Sequence, residues 1–208
     1  MAEDEAVNRS ALAIQGTPRF EMAANDAVLT MPAVAQTFSC ALGVPISTEK
    51  TPKLNALLWK VLVDAGGSTA EAKDRYQRTR PFAINGKPIC TPEIAERLRN
   101  NGSYPSGHAA IGYAFGLVLS QVAPDRGDAL VARGTAFAES RLVCNVHWES
   151  DVEQGQFMAA AVVARFNAQS AFRSDMDAAR AEIDALRAQG AKPDRNCDAE
   201  AQALKAWK

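Results

Sequence analysis

Between Pro52 and Gly67 the apolar side chains fall at Leu54, Leu57, Leu58, Val61 and Leu62, the three-and-four spacing that lays one stripe along a helix. Gly66-Gly67 marks the end of that helix, and Ser68 is placed to cap the next, which carries Lys73 and stops around Arg80-Pro81 because proline disfavours helix in the residue before it. Upstream, residues 6–24 have weak amphipathic helical character and residues 26–38 read as a further short helix. From Phe82 to Tyr104 the punctuation Asn85-Gly86, Pro88, Pro92 and Asn101-Gly102 predicts loops around a turn of helix at residues 93–99. Ser106 to Val122 reads as a buried helix stopped by Pro124. Helices follow at residues 126–139, at residues 149–167 with Met158, Val162, Val163 and Phe166 on the apolar face, and at residues 175–189 until Gly190 and Pro193. Alternating β-branched runs are scarce and no repeat or linker interrupts the pattern, so the expected architecture is an all-α, compact single-domain bundle spanning residues 1–208.

Composition narrows the partners. With 23 Lys+Arg against 24 Asp+Glu, the net charge of -1 advertises neither nucleic acid nor an anionic membrane, so any anion site has to be local. The longest apolar runs, Ile111 to Leu119 and Phe157 to Phe166, fall short of the roughly 20 residues that span a bilayer. The start, Met1-Ala-Glu-Asp-Glu, has neither part of a signal peptide, as expected of a cytosolic chain or of one that begins after cleavage. Cys40, Cys90, Cys144 and Cys197 are even in number and include no CxxC or Cys/His pair, which favours two disulfides and an oxidising compartment over zinc.

Both histidines sit among polar residues. His108 closes Tyr104-Pro-Ser-Gly-His at the mouth of the buried helix, where Ser106 offers a hydroxyl, Gly107 allows close approach, and the first backbone N–H groups point outward: a phosphate cradle, or else a plain N-cap. His147 lies four residues before Asp151; on one helix the two share a face, and the carboxylate holds one ring nitrogen protonated while the other is free to attack. The alternative is an ordinary His–Asp pair on a solvated face. Lys73, Arg75, Arg78 and Arg80 form a basic run that would normally be solvated, yet Lys73 and Arg80, seven apart, share a helical face and can point into one pocket, with Arg141 as a third cation. Three fixed cations suit a phosphoryl group in transfer.

Taken together, Lys73-x6-Arg80-Pro81, Pro105-Ser106-Gly107-His108 and Ser140-Arg141-x5-His147-x3-Asp151 resemble the complete three-block signature of the PAP2 (type 2 phosphatidic acid phosphatase) superfamily. Gly102 to His108, His147-Trp-Glu-Ser-Asp151, Ala41 to Ser47 and Thr51 to Leu54 are similar to the class A bacterial non-specific acid phosphatases, and the likeness covers nearly the whole chain. That family's leader and proline-rich arm have no counterpart here, as expected of a trimmed, mature chain. The resemblance implies the PAP2/haloperoxidase fold, a periplasmic or secreted homo-oligomer, most simply a dimer, and hydrolysis of small phosphomonoesters without metal or other cofactor. It implies His147 as nucleophile, Asp151 as its orienting carboxylate, His108 as general acid and then base, and Lys73, Arg80, Ser106, Gly107 and Arg141 as the phosphate grip. It makes Ser140 structural, pairs Cys90 with Cys144 and leaves Cys40 with Cys197.

Rival readings remain at this stage. Tyr104 and Trp148 flank the histidines and either line a pocket or simply pack. Cys144 lies inside the third block but lacks a Cys-x5-Arg phosphate loop. Vanadium-dependent haloperoxidases share the scaffold in much longer chains, membrane lipid phosphatases share the blocks but need several spanning helices, and a non-catalytic phosphate-binding helical protein is the third alternative.

Overall fold

The apolar run after Ser106 forms the axis of the protein, whose computed structural model describes residues 2–207; positions 1 and 208, the ends of the expected domain, lie outside the described residues. In chain order the helices are α1 (Ala2–Leu12), α2 (Pro18–Asp26), α3 (Ala33–Gln36), α4 (Ser39–Leu42), α5 (Pro52–Gly67), α6 (Ala70–Tyr76) and α7 (Pro81–Asn85). There follow α8 (Ala95–Arg99), α9 (Gly107–Val122), α10 (Gly127–Val143), α11 (Glu149–Asn167), α12 (Ser170–Ala188) and α13 (Cys197–Lys205). Among the described residues there is no strand, as the sequence predicts.

α9 is buried on most sides because α5, α10, α11 and α12 pack around it. Phe38 stacks on Phe137 and tilts against Phe115, filling one end of the same core as Leu54, Leu57, Leu58 and Val61 from α5. Truncating such a leucine costs about 2–5 kcal/mol, since the methyl groups leave a cavity that the neighbours only partly fill. The α9–α10 crossing is close because glycines meet there. A Cβ on Gly116 would lie 2.8 Å from Leu130 O and 3.1 Å from Gly134 Cα, and one on Gly112 would strike the Phe137 ring.

Local chemistry fixes the helix ends. Pro52 opens α5 at a position where its missing N–H costs nothing. The free N–H groups of Lys53 and Leu54 donate to the Glu182 carboxylate of α12 at 2.8 and 2.9 Å, a cap supplied by another helix. Gly43 ends α4 in the left-handed region at φ +83°. Two disulfides, Cys40–Cys197 and Cys90–Cys144, join the pairs implied by the resemblance; the first ties α13 to α4, and the second ties the segment after α7 to the end of α10.

Several boundaries differ from the sequence pattern. Ser68 donates to Ala65 O within the end of α5, so it does not cap α6. α6 stops at Tyr76, well before Arg80, because Gln77 takes a left-handed conformation at φ +41°. α10 runs on to Val143, four residues past the expected Glu139, which brings Ser140 and Arg141 into its last turn. α12 starts at Ser170 and α13 forms beyond Pro193, where no helix was expected; Asn196 caps α13 by accepting from Ala199 N at 3.0 Å.

Candidate active site

Lys73 and Arg80 do not share a helical face, because the extended segment between Gln77 and Arg80 separates them; the heptad argument fails there. They converge by another route. Lys73 Nζ donates to Gly102 O at 2.9 Å and Ser103 O at 3.2 Å, and Arg80 also reaches Gly102 O, at 3.3 Å. Arg80 is the N-cap of α7, with Pro81 in the first turn. Its guanidinium is pinned by Leu98 O (2.9 Å), Asn101 O (3.0 Å), Asn101 Oδ1 (3.1 Å) and Val146 O (2.9 Å). Gly102 lets this loop lie against α6: a Cβ there would be 2.7 Å from Lys73 O.

His147 and Asp151 are likewise not two residues on one helical turn. Helix α11 begins at Glu149 with Trp148 as its N-cap, so His147 precedes the helix, while Asp151 is the third helical residue. Its Oδ2 accepts from Trp148 N at 2.9 Å and lies 3.4 Å from His147 Nδ1. One carboxylate thus caps the helix and orients the ring. The contacts assign the tautomer: Nδ1 carries the proton toward Asp151, and Nε2 keeps its lone pair, 3.0 Å from Arg80 Nη1, which donates to it. Burial, then the charges of Arg80, Lys73 and Arg141, hold His147 well below the usual histidine pKa, against the smaller opposing pull of the Ser103 backbone, and so favour the neutral ring.

The cradle block abuts this one. Ser106 N donates to Asp151 O at 2.9 Å, and Ser106 Oγ accepts from Ala109 N at 3.2 Å, so Ser106 is an N-cap as the plainer reading held; its hydroxyl proton is still available to a ligand. Gly107 opens α9 in a tight place: a Cβ there would sit 3.1 Å from Thr69 Oγ1, which would have to shift by a few tenths of an ångström. Half-buried His108 points Nε2 at Ala27 O, 3.1 Å away, leaving Nδ1 as its other proton-exchanging nitrogen. Burial and Arg141 lower its pKa well below the ordinary value, against the smaller opposing pull of Ala27 O.

Arg141 is buried at the end of α10, and among the described residues its Nε and Nη1 have no hydrogen-bond partner; neither has Ser103 Oγ, in the loop that Lys73 grips. Unsatisfied buried donors are uncommon and call for a reason. Desolvation and the charge of Arg80 push the Arg141 pKa down, and desolvation also lowers Lys73, to about 8, with Arg80 next in effect. A bound anion would relieve all of these costs at once. Among the described residues no three His, Cys, Asp or Glu side chains gather as a metal-ligand set.

Sequence reasoning passed over one part. Arg78 leaves the basic run and turns inward: Nη1 donates to Asp151 Oδ1 at 2.6 Å and Ser150 Oγ at 2.8 Å, and Nη2 to Asp4 Oδ2 at 2.8 Å. Only its place within Lys73-x6-Arg80 hinted at this. Ser140 Oγ accepts from Arg19 and has one proton to share between Asp26 Oδ2 at 2.7 Å and Ala136 O at 2.9 Å, a structural role as expected. Trp148 packs with its Nε1 on Thr79 O, whereas Tyr104 meets Tyr76 edge-on beside a shallow depression. Cys144 is closed in its disulfide.

Comparison with known proteins gives the family. Residues 53–175 match the PAP2 superfamily. The chain is 38% identical over 185 residues to a non-specific acid phosphatase of Providencia stuartii, covering 88% of this chain and 75% of that one. It is 42% identical over 173 residues to a non-specific acid phosphatase of Salmonella typhimurium (82% and 69% covered) and 35% identical over 193 residues to an acid phosphatase of Zymomonas mobilis (93% and 73% covered). No helix is long and apolar enough to cross a membrane. The chain therefore belongs to the PAP2 superfamily and, within it, to the non-specific acid phosphatases.

Proposed function

We propose that this acid phosphatase accepts a broad range of phosphomonoesters and works by double displacement through a phosphohistidine on His147, without a metal or other cofactor. As substrate binds, Arg80 Nη1 turns from His147 Nε2 to a phosphoryl oxygen and frees the Nε2 lone pair, which attacks phosphorus; the N–P bond forms as the ester P–O bond breaks, and the departing oxygen takes a proton from His108. Water then attacks in line; His108 removes its proton, the N–P bond breaks, and phosphate leaves. An alcohol in place of that water gives phosphotransfer. Asp151 fixes the attacking tautomer and balances the positive charge that grows on the ring. Lys73, Arg80, Arg141, the Ser106 hydroxyl and the Gly107 N–H take the equatorial oxygens, where charge concentrates in transfer.

The observation that carries this reading is Arg141: a buried guanidinium with unpartnered Nε and Nη1 whose charge, with burial and the other cations, favours the neutral form of His147. Burial and Arg141 also lower the His108 pKa; a phosphate dianion close to it would raise that pKa and equip it as the acid. Vanadate, which adopts a trigonal bipyramid, should accordingly bind more tightly than phosphate. Two disulfides support a periplasmic or secreted setting.

Rapid acid-free quenching of turnover with a labelled aryl phosphate, followed by peptide mass spectrometry, tests the chemistry. Label should appear on His147 alone and vanish in His147→Ala. Label on another residue, or inversion of configuration at a chiral phosphorothioate, would refute double displacement at His147.

A further inference from the structure

Arg78 is not among the residues proposed to grip phosphate, yet it is held by side chains on both sides of the carboxylate that faces His147. Its planar guanidinium joins three acceptors on two segments: Asp151 Oδ1 and Ser150 Oγ at the start of α11, and Asp4 Oδ2 on α1. Asp4 completes the bridge by accepting from Ser150 N at 2.9 Å and Ser150 Oγ at 3.0 Å. Asp4 is 4% exposed and Asp151 is fully buried, so neither ion pair is the screened surface kind whose worth is near zero. Asp151 is thereby divided: Oδ1 belongs to Arg78, and Oδ2 to Trp148 N and His147 Nδ1. Arg78 also lies over the Trp148 ring, 5.7 Å from its centroid, which fixes the plane of the fork.

We infer that Arg78 and Asp4 are a positioning pair that sets the orientation and effective charge of Asp151, and through it the tautomer and basicity of His147, so that helix α1 is part of the catalytic support. A free carboxylate can rotate and present either oxygen. With Oδ1 held by one N–H and Oδ2 by a backbone N–H, rotation is blocked and Oδ2 faces the ring. Arg78 withdraws charge from Asp151; Asp4 in turn shares Arg78 and limits that withdrawal. The charged and titratable groups facing His147 itself are Arg80, Lys73, Arg141, His108 and Asp151; replacing Arg78 or Asp4 keeps all five side chains and alters only the hold on Asp151. Partners at this remove, where measured behind metal-bound histidines, are worth about 10–100-fold in function.

The inference rests on His147 being the nucleophile only for its kinetic arm. Since the chain has two histidines, 1H–15N spectra resolve their rings, and the pKa and tautomer of His147 can be followed without turnover. Arg78→Met should raise the His147 pKa by about half a unit or more and mix its tautomers. Asp4→Asn, which keeps an acceptor for Ser150, should lower it. Arg78→Lys restores charge but not the fork, so it should return the pKa while kcat stays about tenfold or more below the native enzyme. Thermal unfolding identifies any variant that does not fold; Arg78→Lys and Asp4→Asn then carry the test. Shifts of the same sign in the Arg78→Met and Asp4→Asn proteins, no shift in either, or full recovery of kcat by lysine would overturn the positioning role. If the ring titration moves as described but the acid limb of kcat/KM does not follow, the nucleophile assignment fails instead.

Discussion

Helix α10 carries two fully buried arginines two turns apart, and their surroundings are opposite. Arg133 has both terminal nitrogens on the Asp26 carboxylate, its Nε on Thr37 O at 3.1 Å, and the rings of Phe38 and Phe137 beneath it. Ser140 and Arg19 complete that network. Among the described residues Arg141 forms no ion pair; the charges that act on it most are Arg80, which repels it, and Asp26, whose pull is weaker. A buried charge is tolerated when it is paired and hydrogen-bonded, and is costly otherwise. The first region thus uses its charges to hold α2 to α10, while in the second the charge of Arg141 is left without a counter-ion, which under the proposed function an anionic substrate would supply.

The largest effect should come from breaking the satisfied pair. Arg133→Met leaves Asp26 without its main counter-charge and should cost about 3–5 kcal/mol in urea unfolding, while kcat of the folded fraction is unchanged. Next is Arg141→Met, expected to lower kcat by about 10²–10³-fold, the loss typical of one oxyanion donor, with a melting temperature equal to or above that of the native enzyme in phosphate-free buffer. Saturating inorganic phosphate should raise the native melting temperature more than the variant's, by mass action on the folded state. Equal destabilisation by the two methionines would erase the contrast between the regions.

The smallest effect sharpens the contrast inside the active region. Lys73 is one of the cations that depress His147, so in Lys73→Met the His147 pKa rises toward its ordinary value. The attacking form is the neutral ring, which exists above that pKa; the acid limb of kcat/KM should therefore move to higher pH, by about half to one unit. On the alkaline side the free native enzyme should lose substrate affinity as Lys73 deprotonates near its lowered pKa of about 8. An acid limb that stays in place would mean that it reports a group other than His147.

Residues whose roles depend on near neighbours in sequence were legible, and those that act across the fold were not. The buried α9, the α5 stripe and the start of α11 follow from periodicity and caps. The three blocks announce Lys73, Arg80, Ser106, Gly107, His108, Arg141, His147 and Asp151 because each block packs its chemistry into a few positions. What failed was the assumption of continuous helix between them: Gln77 breaks α6, and Asp151 meets His147 as a capping residue and not across a turn. Arg78 reads as one more solvated base until the fold brings it Asp4, 74 residues away. Arg133 and Asp26, 107 apart, left no local trace for the same reason.

Gly155 has no functional atom and is not part of any block. A Cβ there would lie 2.5 Å from Ser106 O and 2.9 Å from Ala109 Cβ, while on the same helix Asp151 O accepts from Ser106 N. The separation between the proposed nucleophile and the proposed cradle is therefore machined by an absence: one methyl group would act as a shim, driving α11 off α9 by tenths of an ångström to an ångström. Since an error of about 1 Å can cost on the order of a hundredfold in rate, the tolerance of this enzyme is held by a residue that chemistry alone would pass over.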